Sequence, residues 1–379
     1  MRHVYLDYNT TTPVAPAVRD AIWPFLGDHF GSPGSGYALG RATQESMEDA
    51  REQVAALLGA DREEIVFTSG GTESNNAALQ GVLLRQALEL RGHFIISALE
   101  HAAVLEPARY LQRLGFELTI VPVDSQGRVA PEAVAAAFQP NTLLVSVVHA
   151  SPEIGTLQPL AEIAELCRAR GILLHTDAVQ SVGKVRVNVD ELGVDLLSLS
   201  AHKMYGPKGV GALYVRSGVR LEPFIRGGSQ EGGLRAGAEN VPGIMGLGKA
   251  ANLNARMLDE TQPRLARLSD RLLERLRSGM GASLRVHGDL APRLPNTLYV
   301  DFPGVNAARL LELAPEVAAW TAASSGVAGR GLSPALTAMG VRPELAAGAI
   351  RLSLGWYTTE EDIDYAASRL LDAWERLKE

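Results

Sequence analysis

Short apolar runs alternate with amphipathic segments along the first two thirds of the chain. The apolar runs at 65–68, 94–97, 143–148 and 172–176 have the length and the side-chain types of buried strands. Between them, the spacing of apolar positions predicts helices, including one over 44–58 and one that begins at Thr72. Strands that alternate with helices predict a doubly wound α/β fold with a mostly parallel sheet.

The last third of the chain has a different order of elements. It predicts a long polar helix from about Leu258 to Arg277, a strand at 297–301, a helix at 307–313, a strand at 350–354 and an acidic C-terminal helix. This order is typical of a second, smaller α+β unit. We therefore predict a large domain over 15–255 and a small domain formed by 1–14 and 256–379.

Composition narrows the class of protein. The chain has 379 residues, of which 46% are hydrophobic and 21% are charged, as in a soluble enzyme with more than one core. The net charge is −7 and neither sign forms a long run, so we expect no nucleic-acid partner and no polybasic contact with a membrane. The N-terminus lacks the apolar stretch of a signal peptide, and no apolar run has the length of a membrane span; we predict a cytoplasmic location.

The chain contains one cysteine, Cys167. A single cysteine excludes an intramolecular disulfide and a thiolate metal cluster built by this chain alone, and we expect no metal site. Cys167 recurs at helical spacing with Leu160, Ile163 and Ala164, so it is predicted to be a small core residue and not a nucleophile.

Two neighbouring segments, 175–180 and 200–209, carry the most informative chemistry. A pyridoxal phosphate site needs a lysine for the aldehyde, an acid that keeps the ring nitrogen protonated, and donors for the phosphate. Lys203, Asp177, and Ser200 with His202 fit these three needs in that order. Taken singly, Lys203 could be a solvated surface group and Asp177 a turn residue. The ordered set favours the cofactor site.

A second phosphate-binding element lies at 69–72. The sequence Ser-Gly-Gly-Thr stands between a predicted strand and a predicted helix, so backbone N–H groups at Gly71 and Thr72 and the Thr72 hydroxyl would face an anion at the positive end of the helix dipole. An ordinary strand-to-helix turn is the alternative for this segment alone.

Several motifs together resemble the cysteine desulfurases of the class V aminotransferase family. They stand in one order over nearly the whole chain, at 5–13, 68–76, 100–101, 175–180, 200–209, 230–240 and 351–355. The resemblance implies the fold type I architecture of pyridoxal phosphate-dependent transferases, with the N-terminal strand packed on the small domain. It also implies pyridoxal 5'-phosphate as the cofactor, an amino-acid substrate and a homodimer.

The resemblance also implies roles for individual residues. Gly71 and Thr72 match the phosphate-binding pair, and His101 matches a histidine that stacks on the cofactor ring, although it could instead cap the following helix. Gln180 matches a glutamine that donates to the phenolic oxygen of the ring, with a solvated side chain as the alternative. Arg351 matches the arginine that binds the substrate carboxylate, for which a planar guanidinium is suited. A surface arginine is the alternative there.

The chain departs from the family pattern at the reactive cysteine. In the loop 321–326, which reads Thr-Ala-Ala-Ser-Ser-Gly, Ala323 occupies the position of the cysteine that becomes a persulfide. Alanine has no nucleophilic atom, so we expect no persulfide and no sulfur-acceptor protein. An engineered replacement would give the same letter. Further departures in the motifs, at Pro152, Gly232, Ala238 and Trp356, indicate a diverged relative whose pocket has lost polar contacts.

The sequence therefore predicts a pyridoxal phosphate-dependent, cysteine desulfurase-like enzyme that acts on a cysteine-like α-amino acid. With Ala323 in place of the thiol, we expect thiol-independent C–S or C–Se lyase chemistry. Two alternatives remain open: a non-catalytic desulfurase-like scaffold or regulator, and an aminotransferase for another amino acid.

Overall fold

The computed structural model describes residues 2–86, 92–322 and 333–378. The strands in these ranges are β1 Val4–Tyr5, β2 Ile65–Thr68, β3 His93–Ser97, β4 Glu117–Val121, β5 Thr142–Ser146, β6 Leu173–Asp177, β7 Leu196–Ser200, β8 Gly211–Val215, β9 Arg285–Val286, β10 Thr297–Asp301, β11 Val317–Ala318, β12 Trp320–Thr321 and β13 Ala349–Ser353. The helices are α1 Pro16–Ile22, α2 Ala38–Leu58, α3 Gly71–Gln86, α4 Ala102–Arg113, α5 Pro131–Ala136, α6 Leu160–Arg168, α7 Val189–Leu192, α8 Val241–Met280, α9 Ala307–Leu313, α10 Pro334–Ala338, α11 Pro343–Ala346 and α12 Glu360–Lys378.

A sheet of seven described strands forms the centre of the larger part of the fold. Its strand order is β2-β8-β7-β6-β5-β3-β4. Strand β8 runs antiparallel to both of its neighbours, and every other pair is parallel. The prediction of a doubly wound, mostly parallel sheet is therefore confirmed.

Both faces of this sheet are covered by helices. One face carries a core cluster that includes residues of α2 and α6, and the other carries a cluster with residues of α3 and α4. Strands β3, β7 and β8 are buried along their whole length, as expected where helices cover both sides of a sheet. Cys167 lies on the inner face of α6 with 1% of its surface exposed, which confirms the prediction of a core residue.

A smaller layer is built on four further strands in the order β12-β13-β10-β9. Its core contains apolar residues from the second half of α8, from α12 and from the N-terminal segment, including Val4 and Leu6. Strand β1 pairs in parallel with β11, so Val4 lies opposite Val317. The prediction that the N-terminal strand packs on the smaller unit is confirmed.

One predicted element is wrong in its extent. The helix expected from about Leu258 begins at Val241, where the side chain of Asn240 accepts a hydrogen bond from the Gly243 N–H, and it runs without a break to Met280. The glycine-rich start has low helix propensity, so the sequence pattern did not predict a helix there. The glycines permit close packing: a Cβ at Gly248 would lie 2.6 Å from the Cα of Ala50 in α2.

The division into domains at 255/256 stays a prediction, and that boundary falls inside α8. In the three described ranges, no helix combines the length and the apolar character needed to cross a membrane.

Candidate active site

Six of the seven described strands of the large sheet end at the same edge. Because all of them except β8 point the same way, the segments that follow them meet at their carboxyl ends, where open α/β sheets bind ligands. The eight residues predicted to bind the cofactor all lie at or just after these strand ends: Gly71 and Thr72 after β2, His101 after β3, Asp177 and Gln180 at β6, and Ser200, His202 and Lys203 at β7.

A cavity of about 270 Å³ lies at this edge. Its lining contains all eight residues that the sequence assigned to cofactor binding, namely Gly71, Thr72, His101, Asp177, Gln180, Ser200, His202 and Lys203. The structure thus brings together groups that are up to 132 positions apart in the sequence, counted from Gly71 to Lys203. Their individual roles stay predictions, because the cavity gives proximity and not function.

Lys203 ends a short 3₁₀ turn that follows β7. Its Nζ donates to the carbonyl oxygens of Asn9, at 2.7 Å, and Thr10, at 2.8 Å. Burial, the largest cause, and the positive charge of Arg351 lower the pKa of Lys203 to about 8, against the opposite effect of Asp177 and Asp7. A lysine with such a pKa has a substantial neutral fraction near pH 8, so its amine can act as a nucleophile or a base.

Asp177 is the last residue of β6, with 5% of its surface exposed. Its Oδ1 accepts from the backbone N–H of Val179 at 3.0 Å, and its Oδ2 accepts from Nδ2 of Asn75 at 2.7 Å. Burial raises the pKa of Asp177, while these donors and the nearby positive charges oppose that rise. Both of these donors are neutral, so the carboxylate would be stabilised by a cationic group bound in the cavity.

The part of the cavity formed by Gly71 and Thr72 is suited to an anion. Gly71 and Thr72 form the first turn of α3, a 16-residue helix, whose leading N–H groups have no partner within the helix. The backbone at Gly71 packs closely against Val179, because a Cβ at Gly71 would lie 2.5 Å from Cγ2 of Val179. Burial lowers the pKa of His202 to about 4, and the charge of Lys203 adds to this, so the imidazole is neutral near pH 7. Its Nδ1 lies 3.1 Å from the Thr11 hydroxyl.

The contacts of His101 and Gln180 bear on the alternatives named for them, a helix cap and a solvated side chain. Nδ1 of His101 accepts from the Ala103 N–H at 3.1 Å, so the histidine caps α4 as well as lining the cavity. Gln180 is 6% exposed and is therefore not a solvated side chain. Its Nε2 donates to the Asn9 carbonyl at 2.8 Å, and its Oε1 accepts from Nζ of Lys184 at 2.7 Å.

A second cavity of about 530 Å³ adjoins the first, and the two share Lys203, Gln180, His101 and Pro152. Arg351, from the middle of β13, lines it and is 4% exposed, which rules out an ordinary surface arginine. Its guanidinium pairs with Asp7, donates to the Thr10 hydroxyl at 2.8 Å and lies 4.8 Å from the ring centre of Trp320.

The second cavity is also lined by four acidic or amide residues for which the sequence predicted no role: Asp7, Asn9, Glu100 and Glu153. Burial raises the pKa of Glu100 to about 8 even though Ser97 and the Val148 N–H donate to its Oε1. Asp7, Asn9 and Glu100 stand within quoted motifs, but their neighbours in space come from distant parts of the chain. Only the fold reveals these contacts.

The departures from the family pattern are not all at the cavities. Pro152 lines both of them, and its carbonyl accepts from Nη1 of Arg351 at 3.0 Å. Gly232, Ala238 and Trp356 lie outside the described lining of both cavities; the ring of Trp356 stacks on Tyr205 at 3.7 Å between centres. The single chain places only Pro152 at the cavities, and the expectation that the other three changes also affect the pocket stays a prediction. Ala323 lies outside the described residues.

The sequence matches the family described as Aminotransferase class-V over residues 4–366. A relative named cysteine desulfurase IscS, from Dictyoglomus turgidum, is 46% identical over 381 residues, and the match covers 100% of this chain and 95% of the relative. A solved NifS-like protein is 38% identical with a TM-score of 0.91, covering 98% of this chain and 99% of its own. A structure described as SspA in complex with cysteine is 34% identical with a TM-score of 0.83, covering 94% and 100%.

The chain therefore belongs to the class V aminotransferase family and is a pyridoxal phosphate-dependent, cysteine desulfurase-like enzyme with the fold of the NifS-like proteins. The residues present fit the cofactor. The buried Asp177 carboxylate suits a protonated ring nitrogen, the start of α3 suits a phosphate, and Lys203 supplies an amine between the two cavities.

The lowered pKa of Lys203 predicts how cofactor uptake depends on pH. Only the neutral amine adds to an aldehyde, so the rate at which cofactor-free protein gains the visible absorption of bound pyridoxal phosphate is expected to rise with pH, with an inflection at about pH 8. Stopped-flow absorbance across a pH series measures this rate. Because Asp7 raises the pKa of Lys203, Asp7→Asn is expected to move the inflection to lower pH. An inflection near that of an exposed lysine, or a shift upward in Asp7→Asn, would contradict the assignment.

Proposed function

We propose that this protein is a pyridoxal phosphate-dependent lyase that cleaves a C–S or C–Se bond of a cysteine-like α-amino acid without using a protein thiol. The observation that carries the proposal is the chemistry of the two joined cavities: Lys203 stands where they meet, cofactor-type groups line one, and a buried arginine lines the other. Because the chain has no usable cysteine, a reaction that needs no protein persulfide is favoured over desulfuration through one.

The whole sequence provides no thiol suited to carry sulfur. The one cysteine, Cys167, is buried in α6 and lines neither cavity. Burial raises the pKa of its thiol to about 12, so the reactive thiolate is scarce at neutral pH. Ala323 provides no nucleophile at the position that the resemblance assigns to the persulfide. Substrates whose sulfur or selenium group departs unaided, such as cystine, selenocysteine and cysteine sulfinate, fit this chain best.

Bound pyridoxal phosphate supplies an aldehyde for covalent capture of an amine and a protonated ring that accepts the electron pair released at Cα. Within the protein, Asp177 would hold the ring proton, and Lys203, with its lowered pKa, would take a proton from the substrate and return it. The first turn of α3, Ser200 and the neutral His202 would bind the phosphate. His101 would stack on the ring, and Gln180 would donate to its phenolic oxygen.

Arg351 is the proposed partner of the substrate carboxylate. Its guanidinium is buried at the wall of the larger cavity, and its Nε has no hydrogen-bond partner in the described part of the chain. The ion pair with Asp7 and the bond to Thr10 hold the guanidinium in place. A carboxylate would gain a charge-assisted contact there without moving this group far.

A homodimer and a cytoplasmic location complete the proposal. Large apolar side chains in the segment 23–37 are exposed in the single chain, as expected of a surface that another copy covers: Trp23, Leu26, Phe30 and Tyr37. A sulfur-acceptor protein is not part of the proposal, because the chain offers no accessible thiol to hold the sulfur.

A substrate panel tests the proposed reaction. The purified, cofactor-loaded protein would be assayed with cysteine, cystine, selenocysteine, cysteine sulfinate and alanine, with sulfide, pyruvate, ammonia and alanine as readouts. We expect turnover of at least one substrate with a self-departing group, and equal turnover by Cys167→Ala. No turnover of any substrate would favour the scaffold or regulator. Amino-group transfer to an added keto acid without C–S or C–Se cleavage would favour an aminotransferase.

The missing thiol yields a separate prediction. After incubation with cysteine, intact-mass analysis of the unmodified protein is expected to show no added sulfur, because Cys167 is buried and position 323 is alanine. Ala323→Cys is expected to gain one persulfide sulfur and to release sulfide with a reductant.

Ala282→Cys, at an exposed position of the short turn after α8, controls for the mere presence of a new thiol and is expected to gain none. A persulfide on the unmodified chain would overturn the thiol-independent mechanism. Absence of a persulfide on Ala323→Cys would mean that position 323 does not replace the family's cysteine in space.

A further inference from the structure

Lys184 is a buried lysine for which neither the sequence motifs nor the cavity lining provides a role. It is 7% exposed, and its Nζ donates to Oδ1 of Asn9 at 3.0 Å and to Oε1 of Gln180 at 2.7 Å. It lies behind the wall of both cavities and not in it. Burying an amine is costly unless its N–H groups are paired, so these two contacts need an explanation.

The local backbone fixes where Lys184 stands. Two successive turns follow β6: the N–H groups of Ser181 and Val182 donate to the Ala178 carbonyl, and those of Lys184 and Val185 donate to the Ser181 carbonyl. Gly183, with φ of 79°, joins the turns in a conformation that favours glycine, and a Cβ there would lie 2.6 Å from Oδ1 of Asn254. The turns place Lys184 beside Gln180, four positions earlier.

The contact settles which end of the Gln180 amide faces which neighbour. An amide has an acceptor at one end and donors at the other. Since Oε1 accepts from Lys184, Nε2 is turned toward the Asn9 carbonyl, to which it donates at 2.8 Å, on the side that Lys203 also contacts. An inverted amide would set Oε1 against that carbonyl and leave Lys184 facing an NH₂ group.

We propose that Lys184 is a positioning residue that fixes the orientation of the Gln180 amide, so that this amide presents its N–H donor to the phenolic oxygen of the bound cofactor. The proposal rests on the proposed function, because it assigns that donor role to Gln180. Lys184 itself touches neither substrate nor cofactor.

The charge of Lys184 is consistent with this arrangement. Burial lowers the pKa of Lys184 well below its usual value, and the charges of Lys203 and Arg351 lower it further. The amine has at least two N–H groups in either protonation state, and these match the two acceptors, Asn9 and Gln180. The lowered pKa of Lys184 reduces the positive charge that it adds beside Lys203.

The test compares the visible absorption of the cofactor-loaded protein across a pH series. A donor to the phenolic oxygen competes for that oxygen with the proton on the linkage between Lys203 and the cofactor. Without the donor, the linkage is expected to hold its proton more tightly, so the pH midpoint at which it loses that proton rises. The expected rise is roughly 0.5–1 pH unit, which corresponds to the free energy of one hydrogen bond. Lys184→Met and Gln180→Ala are both expected to show this shift. Lys208→Met, which removes an exposed lysine near the site, is expected to show none.

The double variant separates positioning from an independent effect. If Lys184 acts through Gln180, Lys184→Met is expected to add no further shift in the Gln180→Ala background. Lys184→Gln keeps N–H donors on a shorter chain, so its midpoint is expected to lie between those of the wild type and Lys184→Met. It serves as the second variant if Lys184→Met does not fold.

A midpoint unchanged in Lys184→Met, or in Lys184→Gln where that is the folded variant, would overturn the proposal. Shifts that add in the double variant would overturn it as well. A wild-type protein that binds no cofactor would overturn the proposed function as well, so the two failures are distinguishable.

Discussion

The buried carboxylate of Asp177 is the constraint around which the site is organised. It ends a central parallel strand, and the donors Val179 N–H and Asn75 Nδ2 are both neutral. An ionised carboxylate in such a place is costly unless a cation joins it. In the proposed function, a protonated pyridine ring would supply that cation, and the Asp177 charge would in turn keep the ring proton. The same pair would then contribute both to the affinity of the cavity for its cofactor and to the ability of the ring to accept electrons.

The N-terminal segment provides the second support of the site. The carbonyl of Asn9 accepts from both Lys203 and Gln180, while its side chain bonds with Lys184, Asn296 and Thr297. One residue therefore ties the end of β7 and the turn after β6 to the smaller sheet, and its 1% exposure removes it from water. Asp7 and Thr10 of the same segment hold Arg351. A displacement of this N-terminal segment would therefore disturb Lys203 and Arg351 together.

Much of the fold and the core of the site could be predicted from sequence, and the remainder depended on contacts that local patterns do not encode. The strands around 65–68 and 297–301 and the helix at 307–313 were predicted because their apolar spacing is local. Asp177 and Lys203 could be named as candidates because their chemistry stands in compact motifs, and the fold brings both to one cavity. The pair of Asp7 and Arg351 joins residues 344 positions apart, and the part proposed for Lys184 depends on the orientation of one amide. The early start of α8 was missed because close packing on α2, and not propensity, makes its glycine-rich turn helical.

The protonation state of the cofactor ring shows whether Asp177 acts as the partner of the ring nitrogen. The protein would be loaded with pyridoxal phosphate carrying ¹⁵N in the ring, and the nitrogen resonance would be recorded at neutral pH for the wild type and Asp177→Asn. Asp195→Asn is the matched control, because Asp195 is a partly buried aspartate whose backbone pairs with Leu174 near the opposite end of β6. We expect a protonated ring nitrogen in the wild type and in Asp195→Asn, and an unprotonated one in Asp177→Asn, whose side chain carries no charge. An unprotonated nitrogen in the wild type, or a protonated one in Asp177→Asn, would contradict this role of Asp177.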